Sequence, residues 1–148
     1  GCYMLISTGI THKQKNVSIC NKLLDTKSRD VCYLVIVASM QDNMQDLSVC
    51  GQIKGLGDKN ACYSSVAVKK KNRTICKSLV DESYQDHCYW IFAINTQNIT
   101  MCATLKNSDS CYSNIVVGYV KDPKICDRIK DQNYREHCYD VAIGIAKI

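Results

Sequence analysis

Apolar residues recur along this chain at a fixed distance from a repeated dipeptide. Cys-Tyr stands at Cys2, Cys32, Cys62, Cys88, Cys111 and Cys138, at intervals of 30, 30, 26, 23 and 27 residues. Four residues after these cysteines come Ile6, Ile36, Val66, Phe92, Ile115 and Ala142. The next positions hold Ser7, Val37, Ala67, Ala93, Val116 and Ile143. A tyrosine followed three and four positions later by apolar side chains draws one face of a helix. Strands compete for the β-branched runs Cys32–Val37 and Ile115–Val120. Asp30, Asn60, Asp86, Asp109 and Glu136, each two residues before a Cys-Tyr cysteine, suit a helix N-terminus and favour the helix. This element, helix A, is expected to run for about ten to twelve residues.

A second pattern lies between the dipeptides. Single cysteines at 20, 50, 76, 102 and 126 alternate strictly with Cys-Tyr. Four residues before them stand Asn16, Asp46, Asn72, Asn98 and Asp122, whose side-chain oxygens can accept an orphan N–H at a helix start. The only proline, Pro123, follows Asp122, at a first helical position where its missing N–H costs nothing. Leu23, Ile53, Leu79, Leu105 and Ile129 lie three residues after the cysteines. Asp25, Gly55, Asp81, Asn107 and Asp131 lie five after and read as a helix stop or the start of the next turn. Helix B is thus expected to span about eight to ten residues.

One helix A followed by five B–A units gives an all-α chain of eleven short helices. Such helices are marginal alone in water and must bury their stripes on neighbours. The expected architecture is an α-solenoid of about five disulfide-stapled helical hairpins. It is read as one array over residues 1–148, with repeats near 1–15 (a half), 16–45, 46–71, 72–97, 98–121 and 122–148. In the last helix A, Val141, Ile145 and Ile148 meet no following helix B and are expected to expose apolar surface.

Eleven cysteines in 148 residues read as a disulfide framework formed in an oxidising compartment. No C-x-x-C occurs, so the common zinc, redox and haem spacings are missing. Two local schemes fit the alternation. In one, each single cysteine joins the following Cys-Tyr: Cys20–Cys32, Cys50–Cys62, Cys76–Cys88, Cys102–Cys111 and Cys126–Cys138. In the other, each Cys-Tyr joins the next single cysteine. Antiparallel helices around one short turn bring the first set to similar heights. In the second set Cys32 and Cys50 would stand roughly 15 Å apart in height, beyond disulfide reach. The first scheme is therefore expected, leaving Cys2 unpaired or bonded between molecules.

The combined pattern [Asn/Asp]-x-[Ser/Thr]-[Ile/Val/Met]-Cys-x-x-[Leu/Ile], an acidic turn, then Cys-Tyr-x-x-apolar-apolar, resembles the cysteine-stapled helical-hairpin repeats of secreted archaeal and environmental proteins. The architecture is similar to tetratricopeptide and Sel1-like repeats, although the period is shorter than 34 residues and their Gly and Ala landmarks are missing.

The net charge of +5 is mild, and its densest run, Lys69-Lys70-Lys71, falls where a helix end welcomes cations. No apolar run is long enough to span a bilayer. His87 and His137 sit at repeat-equivalent positions before Cys-Tyr, which suits a helix surface, and His12 lies in a polar stretch. No set of residues stands out as catalytic or metal-binding, so neither an enzyme nor a cofactor site is expected. The tyrosines after cysteine read as core anchors with a wet hydroxyl. Asn16, Asn72 and Asn98 each begin an Asn-x-Ser/Thr sequon and are N-glycosylation candidates. The expectation is a secreted structural protein, a segment of an extracellular filament or surface array. Its partner would be itself, through head-to-tail association or continuation of the array, with no nucleic acid and no membrane span. The alternative is an extracellular module binding a peptide or glycan.

Overall fold

The computed structural model describes residues 17–40 and 47–144. Among these residues there are ten helices and no strand. The all-α expectation holds. The first expected helix A, with Cys2 and Ile6, lies outside the described residues, as do His12 in the polar stretch after it, the caps Asn16 and Asp46, and Ile145 and Ile148 of the last helix A.

The chain divides into two compact units, Gly1–Val66 and Ala67–Ile148. The first contains α1 (Val17–Lys22, a 3₁₀ helix), α2 (Thr26–Ser39), α3 (Leu47–Gln52) and most of α4 (Leu56–Lys69). There α2 packs on both α1 and α3. The second unit holds α5 (Arg73–Ser78, also 3₁₀), α6 (Glu82–Asn95), α7 (Ile99–Cys102) and α8 (Ser108–Ile115). A π-helical turn, Val116–Val120, continues α8, followed by α9 (Pro123–Cys126) and α10 (Gln132–Ala142). In this unit α6 lies against α5, α7 and α8, and α10 lies against α8, the π turn and α9.

Two expected boundaries move, for one reason. Helix A begins earlier than expected, six residues before its cysteine in four hairpins. Its start is fixed by the residue five after the preceding single cysteine. Asp25 accepts from the Ser28 N–H, Asp81 from those of Ser83 and Tyr84, and Asp131 from that of Tyr134. These aspartates are N-caps of helix A. The turn therefore closes quickly, and helix B shrinks to four to six residues. The residue three after its cysteine ends it: Leu79 donates its N–H to the Cys76 carbonyl and is 4 % exposed. The β-branched run Ile115–Val120 is not a strand; it is where α8 widens into the π turn.

The core follows the stripes. Ile36, Val37, Val66, Ala67, Phe92, Ala93, Ile115 and Val116 are buried, as are Ile53, Leu79, Leu105 and Ile129 from the B helices. Tyr33, Tyr63 and Tyr112 are buried too. The last hairpin departs from the pattern. Its Val141, expected to lie on an uncovered face, is buried, while Ile143 is exposed.

Candidate functional site

Five disulfides run through the hairpins: Cys20–Cys32, Cys50–Cys62, Cys76–Cys88, Cys102–Cys111 and Cys126–Cys138. All belong to the first of the two local schemes. Their Cα atoms lie 5.5–5.7 Å apart, inside the usual disulfide range. All ten cysteines are buried. Cys2 lies outside the described residues.

A tyrosine extends two of the staples. Tyr33, next to Cys32, donates its hydroxyl to Asn21, next to Cys20. Tyr139, next to Cys138, donates to Asp127, next to Cys126. The bond to that carboxylate is the main cause that raises the Tyr139 phenol above its ordinary value. Another side chain braces the turn from the A side. Arg29 and Arg135 donate to the carbonyls of Leu23 and Ile129, and Gln85 donates to that of Leu79. Each satisfies a carbonyl near the end of helix B that has no partner within the helix.

The carboxylates two residues before Cys-Tyr do not sit at helix starts in most hairpins. Asp30 and Asp86 are each the fifth residue of their helix. They reach across to the turn of the next hairpin. Asp30, 2 % exposed, accepts from the N–H groups of Lys54 at 3.0 Å and Gly55 at 2.8 Å. Asp86 accepts from Lys106 N–H at 3.4 Å, and Asp109 from Lys130 at 3.1 Å and Asp131 at 2.9 Å. A carboxylate bound by two N–H groups forms a strong, charge-assisted clamp. For Asp109, burial acts to raise the carboxyl, but the N–H groups of Asp131 and Lys130 outweigh it and hold it below its ordinary value. Gly55 suits this contact, since a Cβ there would stand 3.2 Å from an Asp30 oxygen.

The clamps follow a charge rule. Each turn that receives a carboxylate has lysine four residues after its single cysteine: Lys54, Lys106 and Lys130. The same place in the other hairpins holds Leu24 and Val80, 97 % and 99 % exposed. Asn60, equivalent to the clamp aspartates, instead accepts from Ser64 in its own helix. All three clamps lie within a unit, Asp30 in the first and Asp86 and Asp109 in the second. Sequence reasoning missed them because it took these residues for helix starts. The signal was present in the pairing of acid with lysine one repeat later.

The expected B caps are in place where described. Asn72 accepts from the N–H and hydroxyl of Thr74, Asn98 from the Met101 N–H and the Thr100 hydroxyl, and Asp122 from the Lys124 N–H. Asn72 and Asn98 also donate their own N–H to Ala67 and Ala93, closing the end of the preceding helix A. Lys71 and Gln97, just before them, take the left-handed conformation this closure requires.

Beside Asn98 is an open hollow of about 840 Å³, with Lys69, Lys71, Asn95, Thr96 and Gln97 among its walls. A second, of about 530 Å³, is bordered by Arg73, Lys77, Glu82, Asp86 and Tyr89. His87 stacks on Trp90, with ring centroids 5.6 Å apart. Among the described residues, no three His, Cys, Asp or Glu side chains converge as metal ligands, and no helix is long and apolar enough to cross a membrane. Compared with family models, curated proteins and solved structures, the chain matches none.

Proposed function

We propose that this is a secreted structural protein whose stapled hairpins stack as helical repeats and associate head to tail in an extracellular filament or surface array. Buried disulfides in every described hairpin fit an oxidising compartment. The observation that supports assembly is apolar exposure in the first and last described hairpins at positions that are buried in the hairpins between them in sequence. Ile19 is 56 % exposed, whereas its equivalents Val49, Ile75, Met101 and Ile125 are buried. In the last described hairpin, Ile143 is 59 % exposed, and Glu136 holds the clamp position but accepts from Gln132 in its own helix. Repeat arrays need polar outer faces to stay apart, and apolar edges favour further stacking. In a stacked array these two surfaces would differ, so contact between copies would be heterologous and could propagate.

Sedimentation and electron microscopy of the native protein test this. Polymers that dissociate on Ile19→Lys or Ile143→Lys are expected. A monomer at all concentrations overturns the reading. It would favour the second one, a binding module using the hollow beside Asn98, whose lysine and amide walls suit the hydroxyls and carbonyls of a glycan or peptide.

A further inference from the structure

We propose that Asn72 and Asn98 carry N-linked glycans, and that the fold is built to accept them at its helix caps without losing a bond. Both hydrogen bonds that each cap receives fall on Oδ1, so the capping role leaves Nδ2 out. Glycosylation takes place at Nδ2. A sugar activated at C1 as its diphosphate is attacked by the amide nitrogen. The C1–N bond forms, the C1–O bond to phosphate breaks, the diphosphate leaves, and Nδ2 gives up one proton. The product is still an amide, and its oxygen still caps.

Capping alone does not call for an amide here. Asp122 holds the equivalent position and accepts from Lys124 N–H at 3.0 Å in the same manner. Asparagine at the other two described caps therefore adds an amide nitrogen to which a sugar can be joined, rather than a better cap. The hydroxyl that the sequon requires is in place at both: Thr74 and Thr100 each lie 2.7 Å from the asparagine Oδ1. Space is available as well. Asn72 is exposed at the turn between α4 and α5, and Asn98 is half-buried on the wall of the 840 Å³ hollow. The hollow's other walls, Lys71, Asn95 and Gln97 among them, offer donors and acceptors to the first sugar hydroxyls.

The proposal rests on the extracellular part of the function proposed above and is independent of assembly. The test is peptide mass spectrometry on the native protein, with and without an amidase that releases N-glycans. Peptides containing Asn72 and Asn98 are expected to carry hexose-based mass increments and to return with aspartate in place of each asparagine after release. Expressed in the same host, Asn72→Asp should lose the first increment and keep its melting temperature, because aspartate caps equally well. Unmodified Asn72 and Asn98 in a sample with all five disulfides formed overturns the glycan proposal alone. Reduced cysteines in the native sample overturn the compartment and the glycans together.

Discussion

Lys71, Gln97 and Lys121 hold backbone angles that few side chains accept, with φ of 48°, 54° and 48°. None is glycine, although the close of a helix A in the left-handed conformation would suit one. Gln97→Gly should therefore stabilise the protein by about 1 kcal/mol, read as a shift in the denaturation midpoint. Aspartates at the caps act in a different way. Asp25 is held below its ordinary carboxyl value first by the Ser28 hydroxyl, and Asp81 first by the Ser83 hydroxyl. Asp109 is lowered as well. A carboxyl depressed in the folded state contributes stability that is full above its unfolded value and is lost as pH falls through the folded one. The melting temperature should thus stay level from neutral pH down to about 5 and fall below about 4. Asp81→Asn keeps the cap oxygen and should make that fall smaller. The B caps were legible in the sequence because they stand at a constant distance from a cysteine. The left-handed residues were not, since Lys and Gln carry no mark of positive φ.

At the scale of the elements, the hairpin owes its form to two kinds of link. The disulfide restrains the unfolded chain across a separation of 12 residues, so replacing Cys76 and Cys88 together with Ala should cost about 3 kcal/mol in chemical denaturation. The carboxylate clamp acts between hairpins. Asp30→Ala would leave the Lys54 and Gly55 N–H groups without their acceptor and should cost about 2 kcal/mol, with a smaller loss for Asp30→Asn. Helical periodicity and the alternating cysteines were enough to place every described staple. The helix starts were not, because acidic residues occur both at the Asp25 position and at the Asp30 position, and local propensity favours either as a cap. Only a partner 20 or more residues away in the chain distinguishes them. The length of helix B was overestimated for a related reason. Leu79 and its equivalents look like the inner face of a longer helix, but they plug the core from a turn.

Across the whole molecule, the five staples turn the chain into closed loops joined by single lengths of backbone. A cut inside a loop leaves both sides bonded; a cut in a connecting length separates them. Trypsin sites fall on both. Lys22, Lys27, Arg29, Lys54, Lys59, Lys77, Lys106, Arg128, Lys130 and Arg135 lie inside loops. The connections between Cys32 and Cys50, and between Cys88 and Cys102, contain no lysine or arginine at all. Those between Cys62 and Cys76 and between Cys111 and Cys126 are the ones that can be severed, at Lys69–Lys71 and Arg73 and at Lys121 and Lys124. Exhaustive digestion without reductant should therefore part the stapled region into three disulfide-linked bodies, and free the short cysteine-less peptides that lie between two cuts, such as Gly55–Lys59. One holds the first two staples, one the next two, and one the last. Reduction should then release many small peptides. Of the sixteen lysines and arginines between Cys20 and Cys138, ten lie inside loops, so most single cuts there would leave the chain covalently whole.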